Sequence, residues 1–331
     1  MMGAWFKDDR GAALVTVLLI IMVMSAGVML TLDTLTYTIR RSVAVQVYSQ
    51  AKLYARGGEQ MAQEAAEQLY NTDQAIKAVL GTGDEAAVSF PLDQGGYIKG
   101  YLRDASNCFN INSLVTAPER GLYISNEENI LYFQRLLVNL GMSAGQGASL
   151  SSALVDWLDS DSRPSRGGAE DYDYSGLKIP YRAANSLMAD ITELRLVQGF
   201  TPEVLSVLEP YVCAVPEAAE NRLNVNTLTV DQAPILAALV GEGLAVNDAA
   251  RLIAERPGRG YSDIGSFWAE TAFEGITIPQ TVRSKADVWP RLFFAEISVK
   301  YIDADVKLTS LMQMENDGSS KIISRRYGAL F

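Results

Sequence analysis

The sequence predicts an α+β protein in which a long N-terminal helix precedes an antiparallel sheet with a large α-helical insertion. Residues 12–32 form an uncharged apolar run, and at about 1.5 Å per residue this is about 31 Å of helix, the thickness of a bilayer core. Segments rich in β-forming residues lie within 96–112 and 291–327. The roughly 170 residues between them carry helix-start and helix-stop signals instead.

The apolar run fits one of three kinds of segment: a cleaved secretory signal, a plain membrane anchor or the stem of a pilin-like subunit. Apolar regions of secretory signals span about 7–15 residues and end at a small-x-small site, and this run does neither. The charged leader MMGAWFKDDRG ends at Gly11, directly against the run. A peptidase that cuts after Gly11 would leave Ala12 as the new N-terminus. The stem interpretation is therefore favoured over the plain anchor.

Helical spacing continues beyond the apolar run. Between Thr36 and Leu69 there is no proline, and apolar residues recur at spacings of three and four. This spacing is typical of one face of an amphipathic helix. Residues 12–70 are therefore predicted to form one helix that spans a membrane and then packs on a domain, a layout that resembles pilin-like proteins.

The composition excludes several classes of protein. The chain has no histidine, which removes imidazole-based catalysis and HExxH zinc sites. Its two cysteines cannot form a four-thiolate metal site. With a net charge of −11, the whole molecule is expected to repel nucleic acid. An ordinary hydrolase, a zinc enzyme or a DNA-binding protein is therefore disfavoured.

Strands from both ends of the chain are predicted to build one sheet, because consecutive strands usually pair. The last three predicted strands form a meander with turns at residues 303–305 and 316–318. The expected domains are a leader (1–11), the long helix (12–70), a pilin-like sheet domain (71–112 with 286–331) and an inserted helical domain (113–285).

Helix-end signals divide the insertion. Thr201-Pro202-Glu203 supplies an N-cap and a first-turn proline, and Thr229 with Gln232 predicts a capping box. The helix that follows stops at Gly241-Glu242-Gly243. Two short helices joined by a Gly-x-Gly turn resemble a helix-hairpin-helix, and residues 191–208 look like a weaker second copy. In other proteins such hairpins bind DNA, so a membrane-anchored periplasmic DNA-binding protein is the alternative function. Here the glycines flank an acid, which favours a packing module.

An Asn-x-Asn string occurs twice. It lies at the end of NCFNIN (107–112) and within RLNVNTLT (222–229). Asparagine side chains support turns and helix caps. Both strings are therefore interpreted as points where the chain turns into a helix.

The densest cluster of charged residues lies between positions 156 and 173. The acids in it are Asp156, Asp159, Asp161, Glu170, Asp171 and Asp173. Because Pro164, Gly167 and Gly168 interrupt them, they cannot share one regular helix. A hard divalent cation would offset their repulsion, and calcium accepts about six to eight oxygen ligands from a flexible loop. A solvated acidic loop is the alternative. A carboxylate pair for glycoside hydrolysis is disfavoured, because no platform for stacking a sugar is evident.

Taken together, these segments resemble the K-type minor pseudopilin family of type II secretion over nearly the whole chain. The strings that carry the resemblance are ALVDWLDSD (153–161), GGAEDYDY (167–174), ITELRLVQGF (191–200) and LNVNTLT (223–229). Most pilin-like proteins have a glutamate five residues after the cleaved glycine, and Thr16 stands there in this chain. The missing glutamate is consistent with a subunit at the end of the fibre. No subunit lies above such a position, so there is no neighbouring N-terminal amine for a carboxylate to neutralise.

The resemblance implies a non-enzymatic role at the tip of the periplasmic pseudopilus. There the protein would initiate assembly and limit fibre length during export of folded proteins across the outer membrane. It implies I-type and J-type minor pseudopilins as partners, with the major pseudopilin as a further candidate and no nucleic acid. It also implies cleavage by the prepilin peptidase between Gly11 and Ala12, N-methylation, and an inner-membrane helix with the C-terminal domain in the periplasm.

The resemblance further implies calcium in the globular domain. The residues assigned as ligands in this way are Asp159, Asp161, Glu170, Asp171 and Asp173. Asp156 opens the motif but is expected on the preceding helix, where it would support the ligands rather than bind the ion.

The periplasm is oxidising, and paired cysteines there tend to form disulfides. Cys108 and Cys213 are therefore expected to be bonded. Two buried free thiols are the alternative, since unpaired cysteines are common in protein cores.

Overall fold

A computed structural model describes residues 10–70, 87–93, 95–218, 222–315 and 317–328. Over these residues the expected α+β architecture is confirmed: a long helix, an antiparallel sheet and a largely helical insertion between two neighbouring sheet strands. The leader residues 1–9 lie outside the described residues, as does 71–86, the first part of the expected sheet domain.

The α-helices are α1 (Arg10–Tyr70), α2 (Glu127–Asn139), α3 (Ala144–Leu158), α4 (Asp171–Ser175), α5 (Pro202–Leu208), α6 (Ala233–Val240), α7 (Val246–Ala254), α8 (Ile264–Trp268) and α9 (Gln280–Arg283). Short 3-10 helices cover Ile111–Leu114, Ile191–Leu196, Glu209–Tyr211, Val230–Gln232 and Thr271–Phe273. The strands are β1 (Val88–Pro91), β2 (Gly96–Asp104), β3 (Phe109–Asn110), β4 (Val115–Glu119), β5 (Leu122–Ser125), β6 (Val212–Cys213), β7 (Leu223–Asn224), β8 (Ala286–Asp287), β9 (Leu292–Tyr301), β10 (Ala304–Met314) and β11 (Ser320–Tyr327).

The main sheet is antiparallel throughout, with the strand order β1-β2-β9-β10-β11. Strand β2 precedes the insertion and β9 follows it, and they pair from Gly96 opposite Tyr301 to Asp104 opposite Phe293. The predicted assembly of one sheet from both ends of the chain is confirmed. Strand β1 was not predicted; it is short and ends at Pro91, which an edge position tolerates because one side of the strand needs no partner.

The second half of α1 packs on the sheet through small residues. Ala51, Ala55 and Ala66 are fully buried there, among residues of β9 and β10. A Cβ at Gly58 would lie 2.8 Å from Ile297 Cγ2, closer than real Cβ contacts allow. The helix therefore approaches the sheet closely because its facing residues are small.

An ion pair between a buried carboxylate and an exposed arginine fixes this packing. Glu59 on α1 is 1% exposed and accepts hydrogen bonds from Arg325 Nε (2.8 Å) and Nη2 (2.7 Å) on β11. Ser310 of β10 also donates to the Glu59 carboxylate. Such a forked pair is strong and directional, and it sets both the height and the rotation of α1 against the sheet.

The insertion begins earlier than the predicted boundary of 113. Strand β2 ends at Asp104, and β9 starts at Leu292. Phe109 and Ile111 are buried with the helices of the insertion rather than with the sheet. The inserted unit therefore spans residues 105–291. The β-forming residues within 105–112 belong to the short strand β3 inside the insertion, which is why the predicted boundary came too late.

Polar contacts hold the two ends of the insertion at the sheet. Ser106 Oγ accepts the backbone N–H groups of Arg291 (3.0 Å) and Leu292 (3.2 Å). Asn224 Nδ2 and Thr227 Oγ1 both donate to Asp104 Oδ2 at 2.6 Å. Burial raises the pKa of Asp104, against the effect of these hydrogen bonds. The last residue of β2 is thus tied directly to the second half of the insertion.

The Asn-x-Asn strings occupy equivalent places in two halves of the insertion. Asn112 Nδ2 donates to the carbonyls of Met188 (2.8 Å) and Val215 (2.7 Å), and its Oδ1 accepts the N–H of Met188 (2.8 Å). Asn226 makes the same three contacts with Tyr261 (3.0 and 2.7 Å) and the carbonyl of Val288 (3.2 Å). Each side chain bridges two distant backbone segments. The interpretation of the two strings as turns and caps did not predict this bridging role.

The flanking strands repeat in the same way. Strand β3 pairs in parallel with β6, and β7 pairs in parallel with β8. Two predicted helix N-termini are confirmed: Thr201 caps α5, and Thr229 forms a capping box with Gln232. The predicted weaker hairpin copy at 191–208 consists of a 3-10 helix followed by α5. The insertion is therefore a tandem repeat of one small unit.

A disulfide joins the two ends of the first repeat. Cys108 and Cys213 are bonded, with their Cα atoms 5.7 Å apart. Cys213 lies in β6 directly opposite Asn110 of β3, so the bond reinforces the parallel strand pair. The bond closes a loop with a sequence separation of 105 residues.

The ion pair of Glu59 with Arg325 predicts a specific loss of stability. Glu59→Gln removes the carboxylate charge to which Arg325 and Ser310 donate, and the loss of hydrogen bonds to a charged group costs about 2 kcal/mol in the free energy of unfolding. Denaturant unfolding of the detergent-solubilised full chain measures this cost. The control Glu64→Gln, an exposed acid on the same helix, should change the free energy by less than about 0.5 kcal/mol.

The pH dependence of this effect has a defined sign. Burial acts to raise the pKa of Glu59, but hydrogen bonds from Arg325 and Ser310 and the nearby guanidinium charges hold it below its ordinary value. A carboxyl with a lowered pKa stabilises the fold above its unfolded-state pKa, and this stabilisation is lost as pH falls. The difference between wild type and Glu59→Gln should therefore shrink in acid. An equal difference at pH 7 and at pH 3 would contradict this assignment.

The disulfide predicts no free thiol. Alkylation of the unfolded, non-reduced protein followed by mass spectrometry should add no label, and prior reduction should add two. Replacing both cysteines by serine should lower the free energy of unfolding by up to about 4.7 kcal/mol, because the open loop regains chain entropy. Two labelled cysteines without reduction would mean that the bond is absent from the protein.

Candidate functional site

The N-terminal half of α1 has the character of a membrane span. Between Ala13 and Tyr70 the helix contains a window of mean hydropathy 2.7, none of which is buried inside the protein. It is the single helix among the described residues that is long and apolar enough to cross a bilayer. Gly11 and Ala12, the expected cleavage position, lie in the first turn of this helix.

The acidic segment folds around the C-terminal end of α3. Asp159 is the C-cap residue of α3, Asp161 follows it in the loop, and Glu170 returns as the N-cap residue of α4. One oxygen from each of these three carboxylates lies within 4.8 Å of the other two. The structure thus brings together three of the five expected ligands.

Two of these carboxylates carry buried oxygens with no hydrogen-bond donor among the described residues. They are Asp159 Oδ1 and Glu170 Oε1, and the two residues are only 8% and 2% exposed. Burial, with the charges of Asp161 and Asp156, raises the pKa of Asp159 to about 6. Burial and neighbouring carboxylates raise the pKa of Glu170 to about 7.

A buried polar atom without a partner is costly, and three converging carboxylates repel one another. Oxygen donors of this kind match the preference of calcium, which binds carboxylates in flexible loops. The residues present therefore fit a hard divalent cation.

Asp156 supports the cluster from the helix, as expected. It is fully buried in α3, and both of its oxygens accept the backbone N–H of Ser165, at 3.1 and 3.0 Å. A Cβ at Gly168 would overlap the Asp156 carboxylate, so glycine is required where the loop crosses the helix. These contacts fold the loop back, so that Glu170 reaches Asp159.

The other two expected ligands lie outside this group of three and make other contacts. Asp171 Oδ1 accepts the backbone N–H of Ala183 at 3.0 Å and lies near Arg182. Asp173 Oδ2 accepts the backbone N–H of Glu170 at 3.0 Å and completes a capping box at the start of α4. The spacing of Glu170 and Asp173 is the signal for this cap, and the ligand assignment did not use it.

Aromatic residues line the protein side of the cluster. Trp157 lies edge-on to Tyr174, with ring centroids 5.3 Å apart, and Tyr174 stacks on Tyr181 at 5.2 Å. Trp157 and Tyr174 are 3% and 2% exposed. They form a packed floor beneath the carboxylates and are too buried to serve as a platform for sugars.

Two of the three basic residues near the hairpin of the second repeat have partners within the protein. Arg256 Nη1 donates to the carbonyls of Val225 and Leu228, both at 2.9 Å. Arg251 pairs with Asp248 on the same helix. A Cβ at Gly243 would meet Ile276 at 3.1 Å, so this turn packs against the protein. These contacts favour a packing module over a DNA-binding surface.

Comparison with known protein families gives a consistent match. Two family models, both described as type II secretion system protein K, match residues 107–217 and 223–288. These two ranges coincide with the two repeats of the insertion.

Relatives named type II secretion system protein K match nearly the whole chain. The protein from Pectobacterium carotovorum is 31% identical over 327 residues, covering 97% of each chain. The one from Aeromonas hydrophila is 30% identical over 327 residues, covering 97% of this chain and 98% of its own. The one from Pseudomonas aeruginosa is 31% identical over 333 residues, covering 97% and 94%.

A solved structure shares the fold. It belongs to the GspK-GspI-GspJ complex of the type 2 secretion system from enterotoxigenic Escherichia coli. The similar chain aligns with a TM-score of 0.67 and 26% identity, covering 88% of this chain and all of that one.

Proposed function

This chain belongs to the family of type II secretion system protein K, and we propose that it is the minor pseudopilin at the tip of the pseudopilus. There it initiates assembly of the fibre and limits its length during export of folded proteins across the outer membrane. The observation that carries the tip position is the insertion of residues 105–291 between two neighbouring sheet strands.

The insertion acts through its bulk. A pilin-like fibre grows because the globular domain of each subunit leaves room for the next one. The inserted unit has two hydrophobic cores of its own and is tied to the sheet at both ends. Since it cannot swing away freely, it would block a further subunit above and leave this chain as the last one.

The proposed partners and location follow from the same family membership. The solved relative forms a complex with GspI and GspJ, so the I-type and J-type minor pseudopilins are the proposed partners here. The apolar part of α1 would cross the inner membrane and leave the sheet and insertion in the periplasm. The role is structural, without enzymatic activity, and the prepilin peptidase would process the leader.

We also propose that Asp159, Asp161 and Glu170 hold a calcium ion. The two buried oxygens without donors support this, because an ion would give both a partner and relieve the repulsion among the carboxylates. The ion would fasten the end of α3 to the start of α4. Its role is to hold the loop in one conformation, and no reaction is involved.

Co-expression tests the tip position. The full chain should co-purify with the I-type and J-type proteins in detergent, and an unrelated single-pass membrane protein should be absent. A gold-labelled tag on the insertion should mark only one end of assembled fibres, because no subunit stacks above it. Label along the fibre shaft would contradict the proposal.

Processing gives a second prediction. In cells with prepilin peptidase, the intact mass should correspond to a protein that starts at Ala12, with a methyl group on its amine. Gly11→Val should retain residues 1–11, since a larger side chain crowds the scissile bond, whereas Gly3→Val in the same leader should be cleaved normally. A wild-type mass that still includes the leader would refute the cleavage position.

Calcium gives a third prediction. Wild type should melt at a higher temperature in calcium than in chelator, by the equivalent of about 2.7 kcal/mol at a hundredfold excess over Kd. The pair Asp159→Asn with Glu170→Gln should lose this response. The control Asp303→Asn, an exposed acid in a turn of the sheet, should keep it. Identical melting of wild type with and without chelator would mean that the site does not bind calcium.

The same two substitutions should increase the stability of the protein when calcium is absent. Both pKa values are raised by folding, so above pH 7 the ionised groups destabilise the native state, and this cost disappears below their unfolded-state pKa values. In chelator at pH 8, the neutral pair should therefore be more stable than wild type by a few kcal/mol, because each unit of pKa shift corresponds to about 1.4 kcal/mol. At pH 3 this advantage should vanish.

A further inference from the structure

A third buried oxygen without a hydrogen-bond donor lies on the segment after α4. Within the described part of the chain, the buried side-chain oxygens that lack a donor are Asp159 Oδ1, Glu170 Oε1 and Asn185 Oδ1. The amide nitrogen of Asn185 donates to the carbonyl of Asp161 at 3.0 Å. Because a carbonyl can accept a hydrogen bond only from the NH2 end of the amide, this contact fixes which end of the side chain is the oxygen.

The chain on either side of Asp159 holds Asn185 in place. The backbone N–H of Asn185 donates to the carbonyl of Trp157 at 3.0 Å, and its side chain donates to the carbonyl of Asp161. These carbonyls lie two residues before and two residues after Asp159, so Asn185 lies against the chain at Asp159. Asn185 has a φ of 45°, in the left-handed region, which asparagine tolerates better than most residues.

The chemistry of this oxygen complements the three carboxylates. Calcium takes about six to eight oxygen ligands, and side-chain carbonyls of asparagine are among those it accepts. A neutral oxygen adds a ligand without adding to the repulsion among Asp159, Asp161 and Glu170. A buried water is the other partner that such an oxygen can have, and the number of waters on the bound ion distinguishes the two cases.

We propose that Asn185 Oδ1 is a fourth protein ligand of the cation held by Asp159, Asp161 and Glu170. The inference rests on that proposed site and adds a residue that lies outside the acidic segment. The three buried oxygens without donors would then all have the same partner.

This ligand would extend what the ion holds together. Asn185 lies three residues before Met188, whose backbone N–H and carbonyl are both bound by the Asn112 side chain. The carboxylates bind at the beginning of the connection that follows α3, and Asn185 lies close to its end. An ion bound to all four residues would therefore close this connection and join it to the segment that Asn112 holds.

The test uses the full chain in detergent, with terbium as a luminescent substitute for calcium. Trp157, two residues before Asp159, serves as the sensitiser. The analysis uses the emission that calcium displaces and that the pair Asp159→Asn with Glu170→Gln abolishes. Because O–H groups quench terbium, its emission lifetimes in H2O and D2O give the number of waters on the ion.

Asn185→Gly removes the oxygen while the backbone keeps its positive φ without strain. This variant should hold one more water on the ion than wild type does, and its affinity for calcium should fall by about tenfold or more. In chelator it should melt within a few degrees of wild type, because the substitution removes only one exposed hydrogen bond.

Two further variants separate loss of a ligand from loss of a hydrogen bond. Asn185→Asp keeps an oxygen in the same position and should hold the same number of waters as wild type. Asn139→Gly is the matched control, since the Asn139 side chain also donates to a backbone carbonyl, that of Pro234, at 3.1 Å. It should match wild type in both the number of waters and the affinity for calcium.

The outcomes distinguish this inference from the metal proposal. If Asn185→Gly binds terbium with the same number of waters as wild type, Asn185 is not a ligand and the site of three carboxylates remains. A gain of one water in Asn185→Asp or in Asn139→Gly would likewise overturn the assignment. Wild type that binds neither terbium nor calcium would overturn both the assignment of Asn185 and the proposed site.

Discussion

The pairing of β2 with β9 is the constraint on which the rest of the structure depends. These strands lie far apart in sequence, and their antiparallel register ends at Asp104 opposite Phe293. Everything from residue 105 to 291 must therefore leave and re-enter the sheet at one point. Ser106 closes that point by accepting two N–H groups from the returning chain, and Asp104 binds the second repeat. A rigid, bulky insertion is the direct consequence, and the proposed tip position rests on that rigidity.

A comparison of the two repeats shows which connection contains the carboxylate cluster. In the second repeat, α7 ends at Ala254, and the chain reaches the Asn226 bridge at Tyr261 after a short turn. In the first repeat, α3 ends at Leu158, and the chain reaches the equivalent bridge only at Met188. The Asn bridges and the parallel strand pairs are thus common to both repeats. The carboxylate cluster lies in the first repeat, within its longer connection.

Local signals in the sequence predicted the elements that depend on neighbouring residues. The capping residues Thr201 and Thr229, the apolar run of α1 and the alternating strands of the sheet are examples, since each is specified within a few positions. What the sequence could not specify depends on distant partners. The bridging role of Asn112, for example, requires Met188 and Val215, which lie 76 and 103 residues away in the sequence. The two-residue strands β3 and β7 are too short to produce any periodic pattern.

The carboxylate cluster shows how stability and function are linked in this fold. Asp156 fixes the loop through Ser165, and this contact forces Asp159 and Glu170 into a buried position, where each leaves an oxygen without a donor. A chain selected only for stability would replace one of these acids, because an ionised carboxyl without a partner destabilises the native state. A bound cation would supply the missing partner for both oxygens. The proposed ion would then join the end of α3 to the start of α4, because Asp159 and Glu170 lie at those two points.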